Sequence, residues 1–130
     1  MNTAAVTRQI AAYLESNCPE VDFAYLFGSV ARECAKPDSD VDVAIHYRSD
    51  PPRTLEGAGM GIAGELEAEL GRPVDLVVLN RAPADLVHRV LRDGILLMER
   101  AANARIAFEV QRRNEYWDLL PILKRYRRTG

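Results

Sequence analysis

Apolar residues recur at helical spacing from Thr3 to Ser16, where Val6, Ile10, Tyr13 and Leu14 fall on one face. Asn17-Cys18-Pro19 ends that run, because a residue before proline is pushed out of the helical region. The pattern then changes. Val21–Phe27 is nearly continuous Val, Phe, Tyr and Leu, which predicts a strand. It leads into Gly28-Ser29, a tight turn, and a short helix is expected from Val30 to about Lys36. Pro37-Asp38-Ser39 reads as a turn, with Asp38 bonding its own backbone. In the strand that follows, Asp40 and Asp42 alternate with Val41, Val43 and Ile45.

Ser49-Asp50-Pro51-Pro52 breaks the chain before a helix expected over Arg53–Leu70. Its buried stripe is predicted as Leu55, Ala58, Ile62, Leu66 and Leu70. Gly57, Gly59, Gly61 and Gly64 each cost such a helix about 1 kcal/mol relative to alanine. Gly71 is placed to cap its end. Val74–Leu79 is a third strand, Pro83 opens a helix that Gly94 ends, and Ile95–Met98 is a short strand expected at a sheet edge. From Arg100 to Leu120 a long helix is predicted, with Ala102, Ile106, Val110, Arg113 and Trp117 on one face and a kink or restart at Pro121. The expectation is one α/β (α+β) domain: a core over 1–98 and a C-terminal helical extension over 99–130, packed on the core or on a partner.

Composition narrows this in three ways. The 130 residues are 48% hydrophobic, which suits one real core and excludes a disordered chain. No apolar run nears the ~20 residues that span a membrane, and Met1–Arg8 lacks a signal-peptide pattern, so a cytoplasmic protein is expected. The net charge of −2 is uneven: residues 99–130 carry eight Lys/Arg against four acids, leaving −6 on the rest. Cys18, Cys34, His46 and His88 have no metal or redox spacing.

The chemistry lies in the acids. Asp40 and Asp42, two apart on a strand, point to one face and repel each other. A divalent cation offsets that cost, and magnesium prefers carboxylate oxygens together with substrate phosphates. Gly28-Ser29, where a strand turns into a helix, offers backbone N–H groups and a hydroxyl suited to phosphate. Arg32, one turn on, is either a triphosphate contact or a surface ion pair. Asp75 opens an otherwise apolar strand, which is out of place in a core. A Gly-Ser turn or an Asp-x-Asp pair alone is usually structural; together, in this context, they indicate chemistry on a nucleoside triphosphate.

Gly28-Ser29, ten intervening residues, then Asp40-x-Asp42 resembles the signature of the DNA polymerase β-like nucleotidyltransferases. GSVAR…SDVDVAI is similar to their minimal bacterial and archaeal members, over about Val21–Leu97. The resemblance implies a small mixed β-sheet flanked by helices and a long C-terminal helical segment. It implies a catalytic, metal-binding triad of Asp40, Asp42 and Asp75, with Gly28, Ser29 and Arg32 on the nucleotide. The implied cofactors are magnesium, two ions, and ATP as donor. Minimal members resemble the antitoxin of a two-gene pair that transfers AMP to a tyrosine of a HEPN-family ribonuclease toxin. A binding-only antitoxin, and a small-molecule nucleotidyltransferase of the aminoglycoside-modifying type with a separate substrate-binding subunit, are the alternatives. Nucleic acid and membrane partners are not expected. One departure stands out: Glu33 occupies a position that is often glycine, and is expected to alter the loop over the triphosphate.

Overall fold

Strand β1 (Val21–Phe27) is covered on both faces, and the other elements are laid around it. The computed structural model describes residues 3–33 and 39–129. Helix α1 (Thr3–Asn17) precedes β1. It is followed by the one-turn helix α2 (Gly28–Ala31), β2 (Val41–Tyr47), α3 (Met60–Leu70), β3 (Val74–Val78), a 3₁₀ turn (Leu79–Arg81), α4 (Ala84–Asp93), β4 (Ile95–Glu99) and α5 (Ala102–Thr129). The strands form one mixed sheet in the order β3-β2-β1-β4, with β1 antiparallel to both neighbours and β2 parallel to β3. As expected, β4 lies at an edge. No helix among the described residues is long and apolar enough to cross a membrane.

Strand alternation sorts side chains into two cores. On one face Val6, Ile10 and Leu14 of α1, with Leu66 and Leu70 of α3, cover Ala24, Leu26, Val43 and Ile45. On the other, Phe23, Tyr25 and Ala44 pack with Val87 and Val90 of α4 and Phe108 of α5. Asp22 is buried within β1, where its carboxylate lies 2.7 Å from Nδ1 of His46. The His46 ring stacks on Phe23 at 4.5 Å between centroids.

Three expectations are corrected. First, α3 starts at Met60 rather than Arg53, because Gly59 has φ +87° and its Cα lies tight against the sheet. A Cβ there would come within 2.1 Å of Leu76 Cδ2. Leu55 and Ala58 are therefore exposed, not part of a buried stripe. Second, β3 stops at Val78, and Leu79 enters the 3₁₀ turn. There the Asn80 amide takes the place of a strand neighbour: Tyr47 N–H donates to Oδ1 at 2.9 Å and Nδ2 donates to Tyr47 O at 3.0 Å.

The third concerns α5. It runs without a break through Pro121, so the expected restart does not occur. Of the face named for it, Ile106, Val110 and Trp117 are exposed and not docked on the core. The docked face is mixed. Phe108 and Tyr116 are buried, Tyr116 stacks on His88 of α4 at 3.7 Å, and Glu109 accepts from Tyr25 Oη at 2.7 Å and from Arg105 at 2.7 Å. Arg105 also pairs with Glu99, and Arg112 donates to Ala82 O. Charged partners, invisible to an apolar-stripe reading, set the face of this helix. The expected extension of α2 to Lys36, the Pro37-Asp38 turn and Cys34 lie outside the described residues.

Candidate active site

The register aligns three residues in a row across the sheet. Phe27 of β1 pairs with Asp42 of β2, and Asp42 pairs with Asp75 of β3. Directly opposite residues point to the same face, so both carboxylates project on the side covered by α4 and α5. Asp42 is half-buried and Asp75 is exposed at the edge strand. Asp40 is not on the strand as expected: the ladder begins at Val41, opposite Val74, and Asp40 precedes it, exposed. Its backbone is held from both sides, since Val41 N–H donates to Pro73 O at 2.9 Å and buried Arg72 donates through Nε to Ser39 O at 3.1 Å.

Gly28 follows Phe27 with φ +74°. A Cβ at this position would lie 1.9 Å from Asp42 Oδ2 and 2.8 Å from its Cγ. The turn backbone thus sits directly against the carboxylate, an approach only glycine permits. Gly28, Ser29 and Arg32 join Asp42 and Asp75 around an open cleft of about 560 Å³, walled opposite by Leu86, Arg89, Arg92 and Asp93 of α4. Asp40 does not line it. A larger cleft of about 670 Å³ beside residues 51–58 has no acidic side chain in its wall, so the chemistry belongs to the smaller one.

Burial, then the neighbouring Asp75 and Asp40 carboxylates, push Asp42 up to about 6, and Arg32 partly offsets this. Like charges crowded beside a glycine turn are the donor chemistry that a hard divalent cation satisfies. Among the described residues, no three acidic, imidazole or thiol side chains converge closely enough to enclose a metal by themselves.

Residues 8–103 match the family described as polymerase beta nucleotidyltransferase. The chain belongs to this family. A relative, the protein adenylyltransferase MntA of Shewanella oneidensis, is 33% identical to this nucleotidyltransferase over 87 residues, 66% of this chain and 60% of MntA. A chain of a toxin–antitoxin crystal structure with AMP-PNP superposes with a TM-score of 0.79 and 25% identity, over 92% of this chain and 94% of the other. A complex of tri-AMPylated S. oneidensis HEPN toxin with MNT antitoxin shares the fold, with a TM-score of 0.76 and 23% identity over 96% of this chain and 95% of that one.

Three arginines of the site were not singled out in the sequence. Arg72, just ahead of β3, holds the segment before Asp40. Arg89 and Arg92 lie on α4, which the sequence marks only as a helix between Pro83 and Gly94. A step of three from Leu86 reaches Arg89 and a further step of four reaches Asp93, and that signal finds the cleft-facing side.

Glu33 is the one residue other than glycine with positive φ among the described residues, at +58°. Left-handed backbone costs a residue bearing a Cβ about 1–2 kcal/mol, which explains why glycine suits this position. Glu33→Gly is expected to stabilise the protein by about 1 kcal/mol in urea unfolding. A loss of stability would show that the Glu33 side chain makes a contact worth more than the strain.

Proposed function

We propose that this chain is a magnesium-dependent protein adenylyltransferase, the antitoxin that transfers AMP from ATP to a tyrosine of a HEPN-family toxin and so neutralises it in the cytoplasm. One observation carries the reading: the Gly28 turn lies against Asp42, in register with Asp75, within one cleft. The AMP-PNP-bound toxin–antitoxin relative supports the choice of donor and partner.

In this reading the Gly28 and Ser29 N–H groups and the Ser29 hydroxyl grip the β- and γ-phosphates, and Arg32 adds positive charge beside them. Asp40, Asp42 and Asp75 would hold magnesium, expected as two ions. Bound magnesium neutralises phosphate charge and lowers the pKa of the acceptor hydroxyl. Asp75 takes up the acceptor proton. The chain otherwise orients donor and acceptor, which is most of what phosphoryl chemistry asks of a protein.

A second reading, sequestration of the toxin without catalysis, is favoured by the exposed apolar row of Ile106, Val110 and Trp117 on α5. Growth of cells producing the toxin separates the two. Catalysis predicts rescue by the wild-type chain and none by Asp42→Asn at equal abundance. Sequestration predicts equal rescue by both.

A further inference from the structure

The cleft has two unlike ends. At one, Gly28 touches Asp42, Arg32 Nε lies 3.4 Å from Gly28 O, and Arg92 clamps Asp93 through two bonds of 3.0 and 2.9 Å. Arg32 also acts electrostatically on both Asp42 and Asp93, so the cations at this end have acidic neighbours. Helix α4 packs on β1 and α2, and a Cβ on Gly94, just past its C-terminal end, would lie 3.4 Å from Leu26 O near the end of β1. Arg89 is about one turn back along α4, and Leu86 about two, roughly 5 and 10 Å from that end. Edge strand β3 also lines the cleft; there half-buried Val77 shares the face of exposed Asp75 two residues away, and Val77 and Leu86 both lie partly exposed at the rim of the second core.

Arg89 makes no hydrogen bond or ion pair among the described residues. Among the described residues it is a cleft cation without a partner, in a cleft that Val77 and Leu86 also line.

We propose that Val77, Leu86 and Arg89 form the acceptor subsite, and that Arg89 is a specificity residue selecting an aromatic hydroxyl. This rests on the nucleotidyl-transfer reading above. In-line displacement brings the entering oxygen in opposite the leaving pyrophosphate. The Gly28 turn holds the pyrophosphate end, so the acceptor enters from the end of Asp75, Val77, Leu86 and Arg89. A tyrosyl ring covers Val77 and Leu86, presents its face or edge to the guanidinium, and aims its hydroxyl at Asp75. A serine or threonine leaves the apolar wall wet and the cation unused. The phenol oxygen bonds to the α-phosphorus as its bond to the bridging oxygen breaks. Pyrophosphate leaves with the electron pair, and the phenol proton passes to the Asp75 carboxylate.

The test compares wild type, Arg89→Gln and Arg89→Lys in steady-state AMP transfer with the HEPN protein as varied substrate, alongside calorimetric titration with AMP-PNP and magnesium. Arg89 is exposed, so Arg89→Gln is expected to unfold within about 2 °C of wild type. The inference predicts a roughly 3- to 30-fold rise in KM for the acceptor in Arg89→Gln, a smaller rise in Arg89→Lys, and unchanged AMP-PNP affinity. An unchanged acceptor KM overturns it. So does a parallel loss of AMP-PNP affinity, which would assign Arg89 to the nucleotide. If the wild-type chain binds AMP-PNP but modifies nothing, the adenylyltransferase reading itself fails, and the inference with it.

Discussion

Asp42→Asn is expected to lower the rate of AMP transfer on the order of 10³-fold while making the metal-free protein more stable. The two effects share a cause. Burial and the carboxylates of Asp75 and Asp40 raise Asp42 to about 6, above its unfolded value near 3.9. A carboxyl raised on folding favours the folded state fully only below its unfolded pKa, and that contribution is lost as pH rises through about 6. At pH 7.5 the metal-free wild type therefore bears an uncompensated charge that asparagine lacks. The site is only half-buried, so solvent screening reduces the effect to about 1 kcal/mol, or roughly 3–5 °C in Tm. Magnesium supplies the missing compensation, so it should raise the wild-type Tm more at pH 7.5 than at pH 5.5, and hardly raise that of Asp42→Asn. Thermal scans at the two pH values check this. A variant less stable than wild type at pH 7.5 would mean that Asp42 has a structural partner worth more than the repulsion.

Gly28→Ala is the second large effect, and it should damage stability and activity together. The added Cβ would fall 1.9 Å from Asp42 Oδ2 and 3.2 Å from Asp42 Cβ, in a backbone with φ +74°. Left-handed strain of about 1–2 kcal/mol adds to overpacking of about 1–3 kcal/mol. The total expected loss is about 2–5 kcal/mol in urea unfolding. Relief comes most readily by swinging Asp42 away from the turn, and a displacement near 1 Å can cost about 10²-fold in rate. The diagnostic comparison is the double variant Gly28→Ala/Asp42→Ala. Removing the carboxylate should restore much of the lost stability and none of the activity. If stability stays as low as in Gly28→Ala alone, the strain resides in the backbone and not against Asp42.

The parts of the structure readable from sequence were those governed by local patterns. Alternation in β2 and the apolar run of β1 placed the carboxylate strand beside the turn, and Asp75 was conspicuous because it interrupts a strand core. The readings that failed depended on contacts between distant residues. Gly59 ends the 53–59 segment because Leu76 lies against it, a fact of packing on the sheet. The face of α5 is chosen by Glu109, Arg105 and Arg112 finding partners on β1, β4 and the loop before α4, which leaves the side of Ile106, Val110 and Trp117 exposed. Asp40 was read as part of the ladder, but the parallel pairing with β3 starts one residue later. Arg89 escaped notice because a charged residue on an amphipathic helix is normally just its wet face.

The central claim is that the Gly28–Asp42–Asp75 cleft transfers AMP to a protein. Intact-mass spectrometry of the HEPN protein after incubation with this chain, ATP and magnesium tests it most directly. The account predicts a gain of one or more AMP units, absent with Asp42→Asn and absent without magnesium. An unmodified mass, with the toxin still neutralised by both wild type and Asp42→Asn, would contradict it and leave binding as the function.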